Sequence, residues 1–364
     1  MTVRQPSDVV IVGAGFAGSL LALLMARRGH SVEIVDLHGV HPAEFRCEKL
    51  GLDQASALHD LGALEPIAAH LGLAGAGPEA FTRFGLPYAQ MVNALRAAWP
   101  DRVRFHEGRV AEAEAGEDRQ VVQLQTGERI EARLLVLATG RNERLRRSLG
   151  IHRRTVRERH SLCIGFSLQA GEGRPPLEPM IAHGGRGGDG LGFASIFPMG
   201  EAARVNLFCY RDPGDAWTKG FRQDPLAALI ASFPELAAEL GGARQLGQAE
   251  FGVIDLYQCD GCIRPGVVLI GDAYASSCPA TAMGLTRVLT DVRQLALVHA
   301  PEWLKTPGMG AGKIAAYYAD PHKRTVDRLS RRRAEIGRFQ ATARGPAGSA
   351  WRMARRFRQS LLAA

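Results

Sequence analysis

The chain opens on an unbroken apolar run. Asp8 to Gly13 shows no alternation of polar and apolar positions, so it reads as a strand buried on both faces. Phe16 to Arg28 has helical apolar spacing and stops at Gly29, and Ser31 to Asp36 is a second buried strand, which together predict a βαβ unit. Helical patterns return at Leu52 to Leu61 and at Tyr88 to Trp99, the latter leading into strand-like Val103 to Phe105 and Gly108 to Ala111. Val121 to Leu124, Gly127-Glu128 and Ile130 to Ala138 read as strand, turn and strand.

From His160 to Gln258 the pattern alternates, in segments such as Cys163 to Leu168, Leu191 to Phe197 and Arg204 to Tyr210, broken by glycine-rich turns. This predicts a separate sheet. Val267 to Ile270 is again fully apolar and belongs with the first strands, a helix starts near Met283, and Gly312 to Ala364 is helical and arginine-rich. The predicted fold is α/β, α+β in its second domain: a Rossmann-like domain interwoven with a β-sheet substrate domain, and a helical C-terminus. The expected boundaries are 1–85, 103–155 and 260–300 for the first, 86–102 and 156–259 for the second, and 301–364 for the basic C-terminal segment.

Composition narrows the classes. The longest apolar stretch near the start, Leu20 to Ala26, is too short to span a bilayer, and no charged leader precedes an apolar run, so a cytoplasmic location without a transmembrane segment is expected. Six cysteines thinly spread over 364 residues do not make a disulfide scaffold. Cys259-Asp-Gly-Cys262 lacks the second pair of ligands that zinc needs and reads as an ordinary turn, so no metal is expected. The net charge of +8 gathers in Arg141 to Arg159 and the last forty or so residues, with no aromatic-interleaved groove for nucleic acid. Solvated helix faces explain it, with attraction of an anionic cofactor or an acidic substrate as the functional alternative.

Chemistry enters with Val10-Ile11-Val12-Gly13-Ala14-Gly15-Phe16-Ala17-Gly18, a dinucleotide fingerprint between strand and helix. Gly13 permits the tight turn, Gly15 lets the backbone approach a pyrophosphate, and Gly18 lets the helix lie close to the strand. Asp36, followed by Leu37, stands where a carboxylate reaches adenosine ribose hydroxyls. Two similar strings are set aside: Gly185 to Gly190 precedes a strand rather than a helix, and Gly308 to Lys313 lacks the first glycine and the Ser or Thr of a phosphate loop.

Features farther along favour FAD over NAD. Arg46 could contact flavin phosphate or ribose, or pair with Glu44 or Glu48. Leu134 to Ala138 is a buried strand ending at Thr139-Gly140. Val268-Leu269-Ile270-Gly271-Asp272-Ala273 offers Asp272 either to the ribityl hydroxyls or as a simple helix cap, with Pro279, Gly284, Thr286 and Asp291 following.

Over roughly its first 330 residues the chain resembles the class A flavin monooxygenases of the para-hydroxybenzoate hydroxylase type. The glycine fingerprint with its acid, the arginine, the strand ending in Gly-Asp and the proline-containing segment occur in family order, and Thr139 to Ile151 is similar to the family's middle motif. Four positions depart: Thr139 replaces an aspartate, Glu143 a serine, Ala275 a histidine and Ala282 a glycine. The resemblance implies tight non-covalent FAD held by residues 13–18, Asp36, Leu37, Arg46, Val110, Thr139, Gly140, Gly271, Asp272, Pro279 and 283–286. It also implies NADPH or NADH as a transient reductant, oxygen addition at flavin C4a, and hydroxyl transfer to a small aromatic or other electron-rich substrate. Pro279 is expected beside the isoalloxazine, with His183, Tyr210 and Tyr257 as candidate polar groups of the pocket. The alternatives are a related FAD reductase or dehydrogenase of an apolar substrate, and a maturation enzyme that docks a partner polypeptide through Arg331 to Arg358. A halogenase is disfavoured because the four tryptophans form no Trp-x-Trp pair.

Overall fold

The computed structural model describes residues 6–184 and 188–345. Strand β1 (Ser7–Val12) feeds the glycine turn and helix α1 (Phe16–Arg27), and β2 (Val32–Asp36) returns parallel to β1. Helix α1 is buried on nearly all sides because it lies between a sheet and other helices, which is why its sequence is apolar all round. Next come the short strand β3 (Cys47–Glu48), helices α2 (Leu52–Asp60) and α3 (Leu64–His70), strand β4 (Leu86–Pro87) and helix α4 (Tyr88–Ala97). Strands β5 (Val103–Glu107), β6 (Val110–Ala115), β7 (Gln120–Leu124) and β8 (Arg129–Leu137) follow, then helix α5 (Arg144–Ser148).

An antiparallel sheet fills the middle of the chain. Its strands β9 (His152–Gln169), β10 (Met180–His183), β11 (Leu191–Met199), β12 (Ala202–Cys209) and β13 (Arg244–Asp260) lie in the order β10-β11-β12-β9-β13. Helices α6 (Ala216–Gln223) and α7 (Pro225–Ser232) sit between β12 and β13 in sequence. Strand β14 (Val267–Leu269) then joins the first sheet beside β8, whose other members run β5-β2-β1-β8-β7-β6. Helices α8 (Met283–Arg293), α9 (Ala300–Leu304), α10 (Ala311–Ala319) and α11 (Pro321–Thr342) complete the described chain.

Residues pair across the second sheet with alternating faces. One face, with Leu162, Ile164, Phe166, Val205, Leu207 and Ile196, packs on Phe221 and Leu229 of α6 and α7. The opposite face carries Cys163, Gly165, Asn206, Phe208, Phe193 and Ser195. That second face is turned toward the nucleotide-binding half: a Cβ at Gly165 would meet the Phe45 ring, and the Cys278 thiol donates to the Ser161 hydroxyl.

Two expectations change. Residues 86–102 were placed with the substrate sheet, but Met91, Val92 and Leu95 of α4 pack in the same core as Leu20 and Leu24 of α1. The apolar stripe of α4 declares a buried face without declaring which sheet it covers. The arginine-rich segment, expected as a solvated helix face with partner docking as the alternative, is partly fastened to the body: Arg331 donates to Gln258, Arg333 to the Met283 sulfur and Arg338 to the His160 carbonyl. Residues 346–364 of that segment, and 185–187 of the discarded glycine string, lie outside the described residues.

Candidate cofactor and active site

The glycine turn has the geometry that its sequence predicts. Gly13 adopts φ +102°, and a Cβ there would come within 2.5 Å of the Ala138 carbonyl oxygen. At Gly18 a Cβ would lie 1.9 Å from the Gly13 oxygen, so only glycine lets α1 approach this closely. The first turn of α1 holds no acidic side chain and takes no cap from its own N-cap residue; apart from the Phe16 N–H, which the Tyr88 hydroxyl accepts, its positive end faces outward for an anion.

Asp36 ends β2 beneath this turn. Its carboxylate accepts from Ala14 N at 2.6 Å and lies 3.7 Å from Arg96. Arg96, buried on α4, donates to the Ala14 carbonyl and to those of His38 and Gly39, tying helix, turn and strand end together. Tyr88, at the start of α4, accepts a hydrogen bond from Phe16 N at 3.0 Å, and the Arg46 guanidinium stacks on its ring at 4.3 Å. Arg46 also donates to Glu48 at 2.6 Å, so it makes the carboxylate pair and faces the cleft at once.

The cleft is lined by Gly15, Phe16, Ala17, Arg46, Gly140, Asp272, Gly284 and Leu285 among the expected residues. It also takes Glu48, Tyr88, Met91, Ala138, Ile270 and Val288. Gly13, Ala14, Gly18 and Asp36 shape the turn behind it. Leu37 is exposed after β2, and Val110 starts β6 beside Leu124. Thr139 turns its hydroxyl to the Asn142 carbonyl, and Met283 and Thr286 belong to α8, where Thr286 accepts from Gln54.

Asp272 lies in a short turn, Gly271–Ala273, and makes no helix cap; α8 begins only at Met283. The simple capping alternative therefore falls. Tyr257 donates to the Asp272 carbonyl at 2.7 Å from behind the turn. Burial, reinforced by the nearby Asp272, pushes its phenol far above the usual range, so it stays a proton donor. Pro279 opens a second short turn that ends at Ala282, held at φ +53° where the family has glycine. Cys278 beside it is fully buried against Ser161 and Tyr210.

The three polar pocket candidates are not brought together. His183 lies at the exposed edge of the sheet near Phe193, Tyr210 packs under α11 against Cys278, and Tyr257 serves the Gly-Asp turn. Cys259 and Cys262 are free and buried, with their thiols donating to carbonyls of Ala273 and Cys259; burial pushes them up to about 11 and about 12. Lys313 donates to four carbonyls between Trp303 and Gly308, which explains the discarded phosphate-loop string. Among the described residues no His, Cys, Asp and Glu cluster is arranged to hold a metal, and no helix is long and apolar enough to cross a membrane.

Known proteins resemble the chain at the same places. A family model described as an NAD(P)-binding Rossmann-like domain matches residues 11–63. The ubiquinone hydroxylase UbiL of Rhodospirillum rubrum is 25% identical over 355 residues, which cover 86% of this chain and 77% of that protein. Among solved structures, p-nitrophenol 4-monooxygenase from Pseudomonas putida superposes with a TM-score of 0.68 at 16% identity, covering 95% of this chain and 91% of that one. A flavin-dependent halogenase gives 0.70 at 17% identity; it covers 91% of this chain, which spans only 63% of that protein. These solved structures speak to the fold. The fold, the cleft and a relative aligned over most of its length thus agree in supporting the resemblance of the chain to the class A FAD-dependent monooxygenases.

Proposed function

We propose that the chain hydroxylates a small aromatic or other electron-rich organic molecule with O2, using bound FAD and electrons from NADPH or NADH. The observation that carries this reading is the half-buried sheet face opposite the packed core. There Phe193 and Phe208 lie 4.9 Å apart, with Cys163, Asn206 and Ser195 around them. Two tilted rings form a shelf for a flat apolar substrate, an interaction of about 0.5–1.5 kcal/mol per aromatic pair beyond area burial. Asn206 and Ser195 supply neutral hydrogen-bonding groups to orient a polar substituent without ionising.

Residues of the cleft fit FAD. Gly15, the first turn of α1 beyond the Phe16 N–H, and Arg46 would hold the pyrophosphate, and Asp272 the ribityl chain. When bound, FAD supplies the redox and oxygen chemistry. The chain supplies position and dryness: Tyr257 fixes the Asp272 turn, Pro279 presents a surface without an N–H, and the sheet excludes water above it. Exposed arginines from Arg141 to Arg159 would attract the anionic nicotinamide cofactor in passing.

Candidate phenols, quinones and polyketide-like compounds should accelerate NAD(P)H oxidation by the purified protein and yield a product that carries one oxygen atom from labelled O2. Oxygen-independent turnover would move the assignment to a reductase or dehydrogenase.

A further inference from the structure

We propose that Lys323, on the C-terminal helix α11, is a positioning residue for the FAD site, acting through Asp291 on the Gly271 amide. Two helices each present a pair of opposite charges four residues apart: Arg287 and Asp291 on α8, Lys323 and Asp327 on α11. The pairs interlock. Lys323 Nζ lies 2.6 Å from Asp291 Oδ1 and 3.2 Å from Asp327 Oδ2, and Arg287 Nε lies 3.0 Å from Asp327 Oδ1. Side chains of Lys323 and Asp291 are each 1% exposed, and that of Arg287 is 3% exposed.

This neutral lattice grips the turn that carries Asp272 at both ends. Asp291 Oδ2 accepts from Gly271 N at 2.8 Å, at a residue held at φ +59°. Arg287 donates to the Ala275 carbonyl at 2.7 Å and to the Ser277 hydroxyl at 2.9 Å. Lys323 also stands over the Tyr274 ring at 4.2 Å. Asp291 thus spends one oxygen on the turn and the other on Lys323. Without the ammonium its carboxylate is a buried charge with no cation in contact; it must rotate, take up a proton or admit water, and each releases the Gly271 N–H. Asp272, the next residue, then loses its fixed aim into the cleft. Buried ion pairs are poor sources of stability compared with apolar packing, whereas orienting a ligand-facing turn is a use that apolar residues cannot replace.

The test uses the whole chain: FAD affinity from quenching of flavin fluorescence, visible circular dichroism of the bound flavin, and urea unfolding of the apoprotein. Two variants are compared with the parent, Lys323→Met and the charge-free pair Asp291→Asn with Lys323→Met. The expected result is at least a tenfold loss of FAD affinity in both, with an altered flavin dichroism. A folded variant that binds FAD within threefold of the parent and with the parent's spectrum overturns the proposal. If Lys323→Met alone does not fold, the paired variant decides by the same threshold. Failure of both to fold assigns the lattice to the fold alone and overturns it as well.

Discussion

Alanine at Gly18 and alanine at Gly15 add the same methyl group three residues apart, with opposite expected consequences. At Gly18 the new Cβ falls 1.9 Å from the Gly13 oxygen and 3.0 Å from its carbonyl carbon. These are backbone atoms of the turn and cannot swing aside, so α1 must lift from the strand. Overpacking of this kind costs about 1–3 kcal/mol, and a backbone obstacle puts Gly18→Ala at the upper end. At Gly15 the nearest atom is the Tyr88 hydroxyl at 3.2 Å, and the backbone, at φ −68° and ψ −172°, suits alanine. Apoprotein stability should therefore stay within about 1 kcal/mol of the parent. The Gly15 methyl does stand at the cleft wall where a pyrophosphate must meet backbone N–H groups, so FAD affinity should fall at least tenfold, which is about 1.4 kcal/mol. Urea unfolding of the apoproteins and FAD titration separate the two effects. Parental FAD affinity in Gly15→Ala, or parental stability in Gly18→Ala, would refute the reasoning.

Other outcomes follow from the same geometry. Asp272→Ala should lose most FAD affinity while the apoprotein melts as before; retention of FAD at parental strength would remove Asp272 from the site. Ala282→Gly relieves a left-handed backbone and should stabilise the apoprotein by up to about 1 kcal/mol in denaturant titration. His160 is buried with both ring nitrogens unpartnered, and burial, aided by Arg338 and Arg157, pushes it down to about 4 from 6.5. A folded value below the unfolded one means that its stabilisation is complete above pH 6.5 and is lost as pH falls toward 4, to a limit of about 3 kcal/mol. His160→Phe should flatten the difference in stability across that window, measured by unfolding at several pH values; an unchanged slope would count against a neutral buried imidazole.

The nucleotide-binding unit was legible because each of its parts has a local signature. A continuous apolar strand, three glycines with separate steric duties and an acid at the end of the next strand can each be read within a few residues. Alternation likewise exposed the second sheet. What escaped was supplied over long separations by side chains of ordinary appearance. Tyr88 reaches Phe16 across 72 residues, and Arg96 reaches Ala14 across 82. Nothing in the helix around them distinguishes either from a surface tyrosine or arginine. Glu33 interrupts a buried strand, and only the fold shows Ser7, Arg104 and His106 converging on it; their hydrogen bonds outweigh burial and hold its carboxyl down at about 2. Lys323 was hidden among arginines that read as a solvated face. Its burial became visible only when α11 was seen lying on α8.

Helix α11 bears on how the molecule can be divided. Its first turns meet α8 behind the Gly-Asp turn, and its later residues, Ala334 and Ala341, pack with Tyr210 and Cys278 at the second sheet. A chain shortened before Pro321 would strip the cation, Lys323, and the anion, Asp327, that answer Asp291 and Arg287, and would uncover Tyr210 in the same cut. The last described helix is therefore no appendage: it is a splint that joins α8, behind the Gly-Asp turn, to the second sheet.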